Sequence, residues 1–348
     1  MPGATVEPAP GATVEPGVRR GRTGPPVPRS ARPAVSRVGL RKLTRVSPAR
    51  HPGAPVPLIS AAPLTPPLTS PLTSAPGAPG SPMSLAESSR LAVRVAQSAA
   101  VALLELRLTA GREDAGALRA RADATAHQVI ADALAGAAPD VALLSEEAPD
   151  DPARLSARQV WIVDPLDGTR EYGEVGREDW AVHIALWDAA ADDLVLGVVA
   201  LPARGVVYSS TAPRPVPARA GGRWRVAVSR SRPPAVALGV AAALDADLVP
   251  LGSAGYKIAA VVAGEVDAYV HAGGQYQWDS AAPVAVARAV GLHASRLDGG
   301  PLRYNSAELY LPDLLVCRPE LADPILRAVA GAGPGPPGTR PDSRAGPR

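Results

Sequence analysis

The segment WIVDPLDGT at residues 161–169 decides the predicted fold. Its first half belongs to the run VWIVD at 160–164, which is short, apolar and rich in β-branched residues, as buried strands are. The predicted strand ends in Asp164, and a second carboxylate, Asp167, follows three residues later. Two acidic residues therefore lie at the end of one element, where carboxylates can bind a divalent cation.

The turn after this strand is shaped by Pro165 and Gly168. Pro165 fixes the backbone and Gly168 permits a tight turn, so that both carboxylates and the carbonyl of Leu166 can face one point. If a helix or turn begins at Thr169, the backbone N–H groups of Gly168 and Thr169 would approach a phosphate. DPLDGT alone is also compatible with an ordinary turn, so a functional interpretation depends on the other acidic residues.

Two further acidic clusters lie at the ends of predicted elements. Glu146 and Glu147 close the run VALLSEE at 141–147, which resembles a buried strand, and Asp279 precedes a helix predicted over 280–291. A lone Glu-Glu pair most often belongs to a solvated loop, so neither cluster indicates a site by itself. Hard cations such as Mg²⁺ take oxygen ligands, and the three clusters together predict a site for two or three ions.

The apolar pattern around these motifs predicts an α/β (α+β) fold of two units. Ser84 and Glu87 have capping-box spacing ahead of an amphipathic helix. A Pro- and Gly-containing break near 218–224 separates a first unit, 84–222, from a second, 223–330. The first unit is predicted to hold helices from Ser84 to Leu108 and over 117–134, with strands in 141–147, 160–164, 180–188, 194–202 and 205–210; the second holds strands in 224–234, 247–253 and 266–271 and helices over 234–244, 254–264 and 280–291.

Residues 1–83 differ from the rest in composition and charge. They are dense in Pro, Gly, Ser, Thr and Arg, repeat the segment PGATVEP, and carry ten Lys or Arg against two Glu. We expect this extension and the tail at 331–348 to be disordered. Three interpretations of the extension stay open: a partner-binding or transit-like tail, a plain flexible extension, or sequence upstream of a true start at Met83.

The formal charge of +3 comes from that extension, because the remaining residues carry 26 basic and 31 acidic side chains. An acidic folded part argues against a nucleic-acid partner and favours bound cations for an anionic substrate. Cys317 is the only cysteine, so no intramolecular disulfide forms, and no segment reaches the roughly 18 apolar residues of a membrane-spanning helix. We expect a soluble, cytoplasmic protein without a membrane partner.

The motifs LLSEE, WIVDPLDGTREY and WDSAAPVAVARAVG, in this order, resemble the three metal-binding motifs of the inositol monophosphatase superfamily. The resemblance spans 84–330 and implies a layered αβαβα fold of the sugar-phosphatase type. Within the superfamily the chain is most similar to the CysQ-type 3′(2′),5′-bisphosphate nucleotidases, especially their actinobacterial branch, through DWAVHIALW, SRSRPP, GSAGYK, VDAYVHAGGQYQWD and HASRLDGGPLRYN. The implied cofactor is Mg²⁺, and the implied ligands are Glu146, Asp164, the carbonyl of Leu166, Asp167 and Asp279.

The resemblance also implies how the attacking water is activated. Thr169 would orient that water, and Asp123 or Glu146 would accept its proton, with Glu147 supporting the ligands. In the family this aspartate lies on the second helix in a V-T-x-x-D pattern. Asp123 in RARADATAHQVI is the best counterpart, although the preceding threonine is missing. Lithium inhibition is expected as well, because lithium can replace one magnesium ion in such sites.

Substrate choice must come from residues outside the acid cluster. Arg offers a planar fork and Lys a mobile point charge, so both suit a second phosphate. Arg230 and Arg232 are also open to interpretation as surface charges. The predicted substrate-binding residues are Gly168, Thr169, Ser229, Arg230, Ser253, Lys257 and Asp279.

Aromatic and histidine side chains are weaker candidates. Tyr256, Tyr276 and Trp278 could stack on an adenine base, although such residues are more often part of the core or the rim. A lone histidine on an apolar strand is most often a hydrogen-bonded structural residue. No chemistry is therefore assigned to the three candidates His183, His271 and His293.

Three functions are weighed. The first is a phosphatase that removes the 3′-phosphate of 3′-phosphoadenosine 5′-phosphate, and of the related 3′-phosphoadenosine 5′-phosphosulfate, in sulfur assimilation. The second keeps the chemistry but acts as an inositol monophosphatase or a fructose-1,6-bisphosphatase. The third is a non-enzymatic binding protein that uses its basic extension on an acidic partner. The number of ions and a homodimer are left open.

Overall fold

The computed structural model describes residues 83–111 and 114–331. The disorder predicted for 1–83 and 331–348 lies outside the described residues except at Met83 and at Gly331, which ends the last helix. Within the described part of the chain, no helix is long and apolar enough to span a membrane.

The first sheet lies in the N-terminal half of the described chain. Its strand order follows the sequence, with β1 and β2 parallel and the other neighbours antiparallel. The elements are α1 (Leu85–Thr109), α2 (Ala115–Ala137), β1 (Ala142–Ser145), a 3₁₀ helix (Pro152–Ser156), β2 (Gln159–Asp167), α3 (Thr169–Tyr172), β3 (Ala181–Asp188), β4 (Asp193–Leu201), a second 3₁₀ helix (Pro202–Arg204) and β5 (Val206–Ser209).

The second sheet has the order β7-β6-β8-β10-β9. Strand β6 pairs in parallel with β7 and β8, and β10 runs antiparallel to β8 and β9. Its elements are β6 (Arg225–Ser229), α4 (Ala235–Ala243), β7 (Asp247–Leu251), α5 (Ala254–Val262), β8 (Ala268–Tyr276), α6 (Gln277–Ala289), β9 (His293–Ser295), β10 (Tyr310–Cys317) and α7 (Pro319–Gly331).

Three apolar clusters order these elements into layers. Helices α1 and α2 pack on one face of the first sheet, around Trp161, Ile184 and Leu196. Helices α5 and α6 fill the space between the two sheets, and α4 and α7 cover the far face of the second sheet. Sheets bury both faces when helices cover them, which accounts for strands that are apolar at nearly every position. The predicted layered αβαβα fold is confirmed.

The predicted elements up to α6 are confirmed with shifted ends, including the capping box of Ser84 and Glu87 on α1. Strand β2 continues through Asp167, and β8 continues through Tyr276. Nothing was predicted for the last 40 or so described residues, which form β9, β10 and α7. The break near 218–224 lies in the connection between β5 and β6, and a division into two units there stays a prediction.

Candidate active site

The end of β2 is bent into the site by an irregularity in its pairing with β3. Asp164 pairs with His183 and Asp167 pairs with Ala181, so the strand carries one more residue than its partner between these points. Gly168 follows with φ 89°, and an added methyl carbon would lie 3.0 Å from the Cβ of Ser253. This position therefore requires glycine for both its conformation and its close approach.

Carboxylates from three elements meet beyond this strand end. Asp164 is fully buried; Glu146 directly follows β1, the parallel neighbour of β2, and Asp279 lies in the first turn of α6. Burial raises the pKa of Asp164 well above its usual range, and the nearby Glu146, Asp167 and Asp279 raise it further. Burial likewise raises the pKa of Glu146 to about 8 and that of Asp279 to about 7. Like charges in a dry environment disfavour ionisation, so the cluster suits a bound cation.

This donor set fits a hard divalent cation. Asp164 Oδ2 is buried and has no hydrogen-bond partner among the residues that the structure describes, so it is available as a ligand. The ligand candidates Glu146, Asp164, Leu166 and Asp279 all offer oxygen, which hard cations prefer. In addition, one ligand atom each of Asp164, Asp167 and His183 lie within 4.8 Å of one another.

The Asp167 carboxylate is turned towards the beginning of α5. Its Oδ2 accepts hydrogen bonds from Ser253 Oγ at 2.6 Å and from Gly255 N at 2.6 Å, and its Oδ1 accepts one from Ala254 N at 3.2 Å. An anion at a helix N-terminus satisfies free N–H groups. Asp167 therefore joins the motif of β2 to α5, and its predicted role as a metal ligand stays a prediction.

Thr169 lies at the first position of α3 and contacts two of the predicted residues. Its hydroxyl lies within hydrogen-bonding distance of Asp123 Oδ1, at 3.2 Å, and of the Leu166 carbonyl, at 3.0 Å. Asp123 comes from the middle of α2. Burial raises the pKa of Asp123 to about 7, with a further contribution from Glu147, while the hydrogen bond from Thr169 opposes the shift. The two residues are thus brought together although the preceding threonine of the family pattern is missing.

An open cavity of about 690 Å³ lies beside the acid cluster and contains the predicted substrate residues. The Lys257 ammonium is buried and donates to the carbonyls of Gly252 at 3.2 Å and Ser253 at 2.6 Å. Burial lowers the pKa of Lys257 to about 8, and surrounding carboxylates oppose the shift. The Lys257 ammonium is therefore held at the cavity wall by two carbonyl groups that directly precede α5.

Arg230 is engaged by α3 and the residues that follow it. Its Nη2 lies 2.8 Å from Glu171 Oε1 and 2.8 Å from Glu174 Oε1. Ser229, which ends β6, accepts a hydrogen bond on its hydroxyl from the backbone N of Arg232 at 3.3 Å. All of these residues except Glu174 line the cavity. A substrate phosphate would therefore have to compete with the carboxylates of Glu171 and Glu174 for the Arg230 guanidinium.

Comparisons with known proteins agree with this geometry. Residues 85–218 and 220–330 match the model of the inositol monophosphatase family. The 3′-phosphoadenosine 5′-phosphate phosphatase of Mycobacterium tuberculosis is 50% identical over 240 residues, covering 66% of this chain and 88% of that protein. The 3′(2′),5′-bisphosphate nucleotidase CysQ of Escherichia coli is 37% identical over 206 residues, covering 55% and 80%. The crystal structure of CysQ from Bacteroides thetaiotaomicron has a TM-score of 0.59 at 27% identity, covering 66% of this chain and 97% of that one.

The chain belongs to the inositol monophosphatase family. The resemblance seen in the three acidic motifs is therefore confirmed, and the curated relatives named above are phosphatases and nucleotidases. The motifs of this family lie in the structure where two strands and one helix meet, at the ends of β1 and β2 and the beginning of α6.

In this member of the family, the three aromatic candidates for stacking on a base differ in whether they line the cavity. Tyr276 lines the cavity, and its ring stacks on that of Trp278, with centroids 4.9 Å apart and planes 14° apart. Trp278 is buried behind it. Tyr256 accepts a hydrogen bond from Arg204 at 2.9 Å and is not among the residues that line the cavity. Tyr276 is therefore the candidate that remains for stacking.

His183, to which no chemistry was assigned, lies inside the acid cluster. Its Nδ1 is 3.3 Å from the carbonyl of Trp278, and its Nε2 is 3.5 Å from Asp167 Oδ2. Burial lowers its pKa, and Asp167 opposes the shift. The alternation along β3 places this side chain on the face covered by α5 and α6, but the contact with α5 joins residues far apart in the sequence. The sequence pattern alone carries no signal for it.

We expect Gly255→Ala to destabilise the protein by about 1–3 kcal/mol, as overpacking of a filled site does. A methyl carbon at position 255 would overlap Nε2 and Cε1 of His183. Gly239→Ala on α4 is the matched control, because no atom lies within 4 Å of its added methyl carbon, and it should be neutral or stabilising. Chemical denaturation measures both variants.

The double variant Gly255→Ala/His183→Ala separates overlap from helix propensity. Removing the imidazole makes room for the new methyl group, so the alanine at 255 should cost less in this background than in the wild type. Equal costs in the two backgrounds would contradict the contact.

Proposed function

We propose that the chain is a magnesium-dependent phosphatase that hydrolyses the 3′-phosphate of 3′-phosphoadenosine 5′-phosphate and of 3′-phosphoadenosine 5′-phosphosulfate. The observation that carries the proposal is one cavity whose wall combines the carboxylates Asp167 and Asp279 with Lys257 and arginine side chains. An acidic cluster suits the cations that bind the cleaved phosphate, and a basic wall suits a second anionic group. The name of the relative in Mycobacterium tuberculosis supports the same substrate.

Magnesium, as two or three ions, is the proposed cofactor. Glu146, Asp164, Asp167, Asp279 and the carbonyl of Leu166 would hold the ions. When bound, magnesium neutralises the phosphate charge and increases the acidity of water. The protein's own part is to hold these oxygens on two strand ends and a helix start.

Thr169 and Asp123 are the proposed pair for the proton of the attacking water. The water oxygen attacks phosphorus, the bond from phosphorus to the 3′ oxygen breaks, and the departing 3′ oxygen takes a proton from solvent, so that the products are inorganic phosphate and the 3′ alcohol. In this proposal the Thr169 hydroxyl accepts a hydrogen bond from the water while it donates to Asp123, a contact of 3.2 Å. Glu146 is the alternative acceptor. Gly168 and Thr169 would present backbone N–H groups to the phosphate.

The second phosphate is proposed to lie against Lys257, with Ser229, Arg230 and Ser253 around it. Of these, Ser253 donates to Asp167 and accepts from Tyr256 N, so it acts mainly through the position of α5. Arg230 is neutralised by Glu171 and Glu174, which leaves Lys257 as the main cation of the group.

We expect Lys257→Met to lower kcat/KM for 3′-phosphoadenosine 5′-phosphate by about tenfold or more, as the loss of a charged hydrogen bond does. Methionine keeps an unbranched side chain one atom shorter than that of lysine and removes the charge. Hydrolysis of inositol 1-phosphate, which has no second phosphate, is the control and should change little. A similar loss on both substrates would contradict a second-phosphate role.

The function is tested by phosphate release with magnesium, comparing 3′-phosphoadenosine 5′-phosphate, inositol 1-phosphate and fructose 1,6-bisphosphate. Preference for the nucleotide is expected. Preference for a sugar or inositol phosphate would keep the chemistry and change the substrate. No hydrolysis of any of them would favour the binding-protein hypothesis, whose basic extension lies outside the described residues. A homodimer stays a prediction.

A further inference from the structure

Gln275, near the end of β8, carries a buried amide without a partner. The residue is 7% exposed, and neither its Nε2 nor its Oε1 has a hydrogen-bond partner among the residues that the structure describes. Buried amides are nearly always hydrogen-bonded, because an unmade bond leaves the full desolvation cost. Gln275 lines the cavity beside the acid cluster, and a turn of its side chain would bring the amide, whose nitrogen and oxygen are covered in this structure, to a molecule bound there.

The neighbouring Gln277 shows that this part of the fold can satisfy a buried glutamine. Gln277 is fully buried; its Nε2 donates to the carbonyls of Ser306 and Glu308, and its Oε1 accepts from Asn305 N. These two buried glutamines, two positions apart, thus differ in whether the fold supplies hydrogen-bond partners for the amide. The fold supplies hydrogen-bond partners for the amide of Gln277, whereas the amide of Gln275 has none among the described residues.

The backbone around Gln275 is fixed. Gly274 has φ 87°, and a methyl carbon there would overlap the ring of Tyr310, so glycine is required. The Gly274 carbonyl accepts a hydrogen bond from His271 Nε2 at 2.9 Å. Tyr310 pairs with Tyr276 across the sheet, and its hydroxyl is also buried without a partner among the described residues. The backbone that carries the amide is therefore constrained on both strands of this pair.

Tyr276 connects this amide to the acid cluster. Its ring lines the cavity and is fixed by stacking on Trp278, and its backbone N donates to Asp279 Oδ2 at 2.5 Å. A rigid aromatic face beside an unsatisfied amide is suited to a planar heterocycle that carries a donor next to an acceptor. Adenine has such an edge, with its 6-amino group beside a ring nitrogen.

We propose that Gln275 and Tyr276 form an adenine subsite, in which Gln275 Nε2 donates to a ring nitrogen, Oε1 accepts from the 6-amino group, and Tyr276 stacks on the base. The inference rests on the proposed function, since it places the base of the same nucleotide. Because Asp279 and Tyr276 are joined by a hydrogen bond, the subsite has a fixed position relative to the carboxylates at the cleaved phosphate.

The test compares wild type and Gln275→Leu on three substrates: 3′-phosphoadenosine 5′-phosphate, the same bisphosphate with purine lacking the 6-amino group, and inositol 1-phosphate. We expect kcat/KM of the variant to fall by about tenfold or more on the adenine substrate, as loss of a specific buried hydrogen bond does. Wild type should prefer the adenine substrate over the purine one, and the variant should lose that preference. Hydrolysis of inositol 1-phosphate should stay within about twofold.

An equal loss on all three substrates, or an unchanged preference for the 6-amino group, would overturn the subsite. Binding of adenosine 5′-phosphate, measured by calorimetry, separates this outcome from failure of the proposed function. If the wild type hydrolyses no nucleotide, the proposed function is wrong. The subsite is then tested separately by whether Gln275→Leu weakens the binding of adenosine 5′-phosphate.

Gln277→Leu is the matched control for folding. It removes an amide with protein partners, so its melting temperature should fall, whereas Gln275→Leu should melt at or above the temperature of the wild type. A large loss of stability in Gln275→Leu would indicate a structural role and contradict the proposal.

Discussion

Asp164→Asn is expected to lower phosphate release by about 10³-fold or more, because metal-ion stabilisation of the transition state contributes several kcal/mol and each 1.36 kcal/mol is tenfold. Asp164 is fully buried at the end of β2, among Glu146, Asp167 and Asp279. Asparagine has the same shape but no charge, and it can face a cation with only one oxygen. The variant should therefore bind magnesium more weakly while keeping the backbone of the site.

Thermal melting separates loss of metal from loss of fold. Added magnesium should raise the melting temperature of the wild type, because a ligand that binds only the folded state stabilises it. The shift should be smaller for Asp164→Asn. Without metal the variant should be at least as stable as the wild type, because one of several mutually repelling carboxyl groups is gone. An active Asp164→Asn enzyme, or hydrolysis by the wild type without a divalent cation, would contradict the proposed metal site.

The local features of this site were predictable because each lies within one short segment. The bend at DPLDGT is visible from a proline and a glycine between carboxylates, and the capping box of α1 from the spacing of Ser84 and Glu87. The short, nearly continuous apolar runs were enough to predict strands β1 to β8, because helices lie on both faces of each sheet.

Contacts between distant segments were not predictable. Arg230 was predicted to hold a phosphate, but its charge is shared with Glu171 and Glu174, which lie more than 50 residues away in the sequence. The contact of His183 with Gly255 is likewise formed only when α5 packs against β3. Periodicity describes which face of an element is buried, and it cannot identify the partner on the other side.

The last strands were missed because their pattern is broken. Strand β10 contains Pro312 and Asp313, and its pairing with β8 shifts register between Leu311 and Asp313. A proline within an apolar run argues against a strand, although it is tolerated at a bulge. Opposite this irregularity, β8 contains Gly273 and Gly274, which have positive φ. The irregular pair brings Gln275 and Tyr276 to the cavity wall, so the least predictable part of the fold carries the proposed adenine subsite.

Asp267→Asn is expected to destabilise the protein by about 3–5 kcal/mol, the cost of breaking a buried ion pair. Asp267 is fully buried before β8, and its environment is the reverse of that of Asp164. Its Oδ1 accepts from Arg318 Nε at 3.1 Å, and its Oδ2 lies 3.5 Å from Arg225 Nε and 3.6 Å from Arg219 Nε. Removing the carboxylate charge leaves three guanidinium groups around a neutral amide.

Asp164→Asn and Asp267→Asn are therefore expected to have different effects on the free energy of unfolding, which chemical denaturation without metal can measure. Asp267→Asn should lose stability and keep the specific activity of its folded fraction, because Asp267 does not line the cavity. Asp192→Asn is the surface control: its ion pair with Arg303 at 2.9 Å joins side chains that are 74% and 65% exposed, and its loss should cost less than about 1 kcal/mol. Equal stability of Asp267→Asn and Asp192→Asn would show that the three arginines are stabilised without the carboxylate. The free energy of unfolding of a typical protein is about 5–15 kcal/mol, so the expected loss would be a large part of the total stability of the protein.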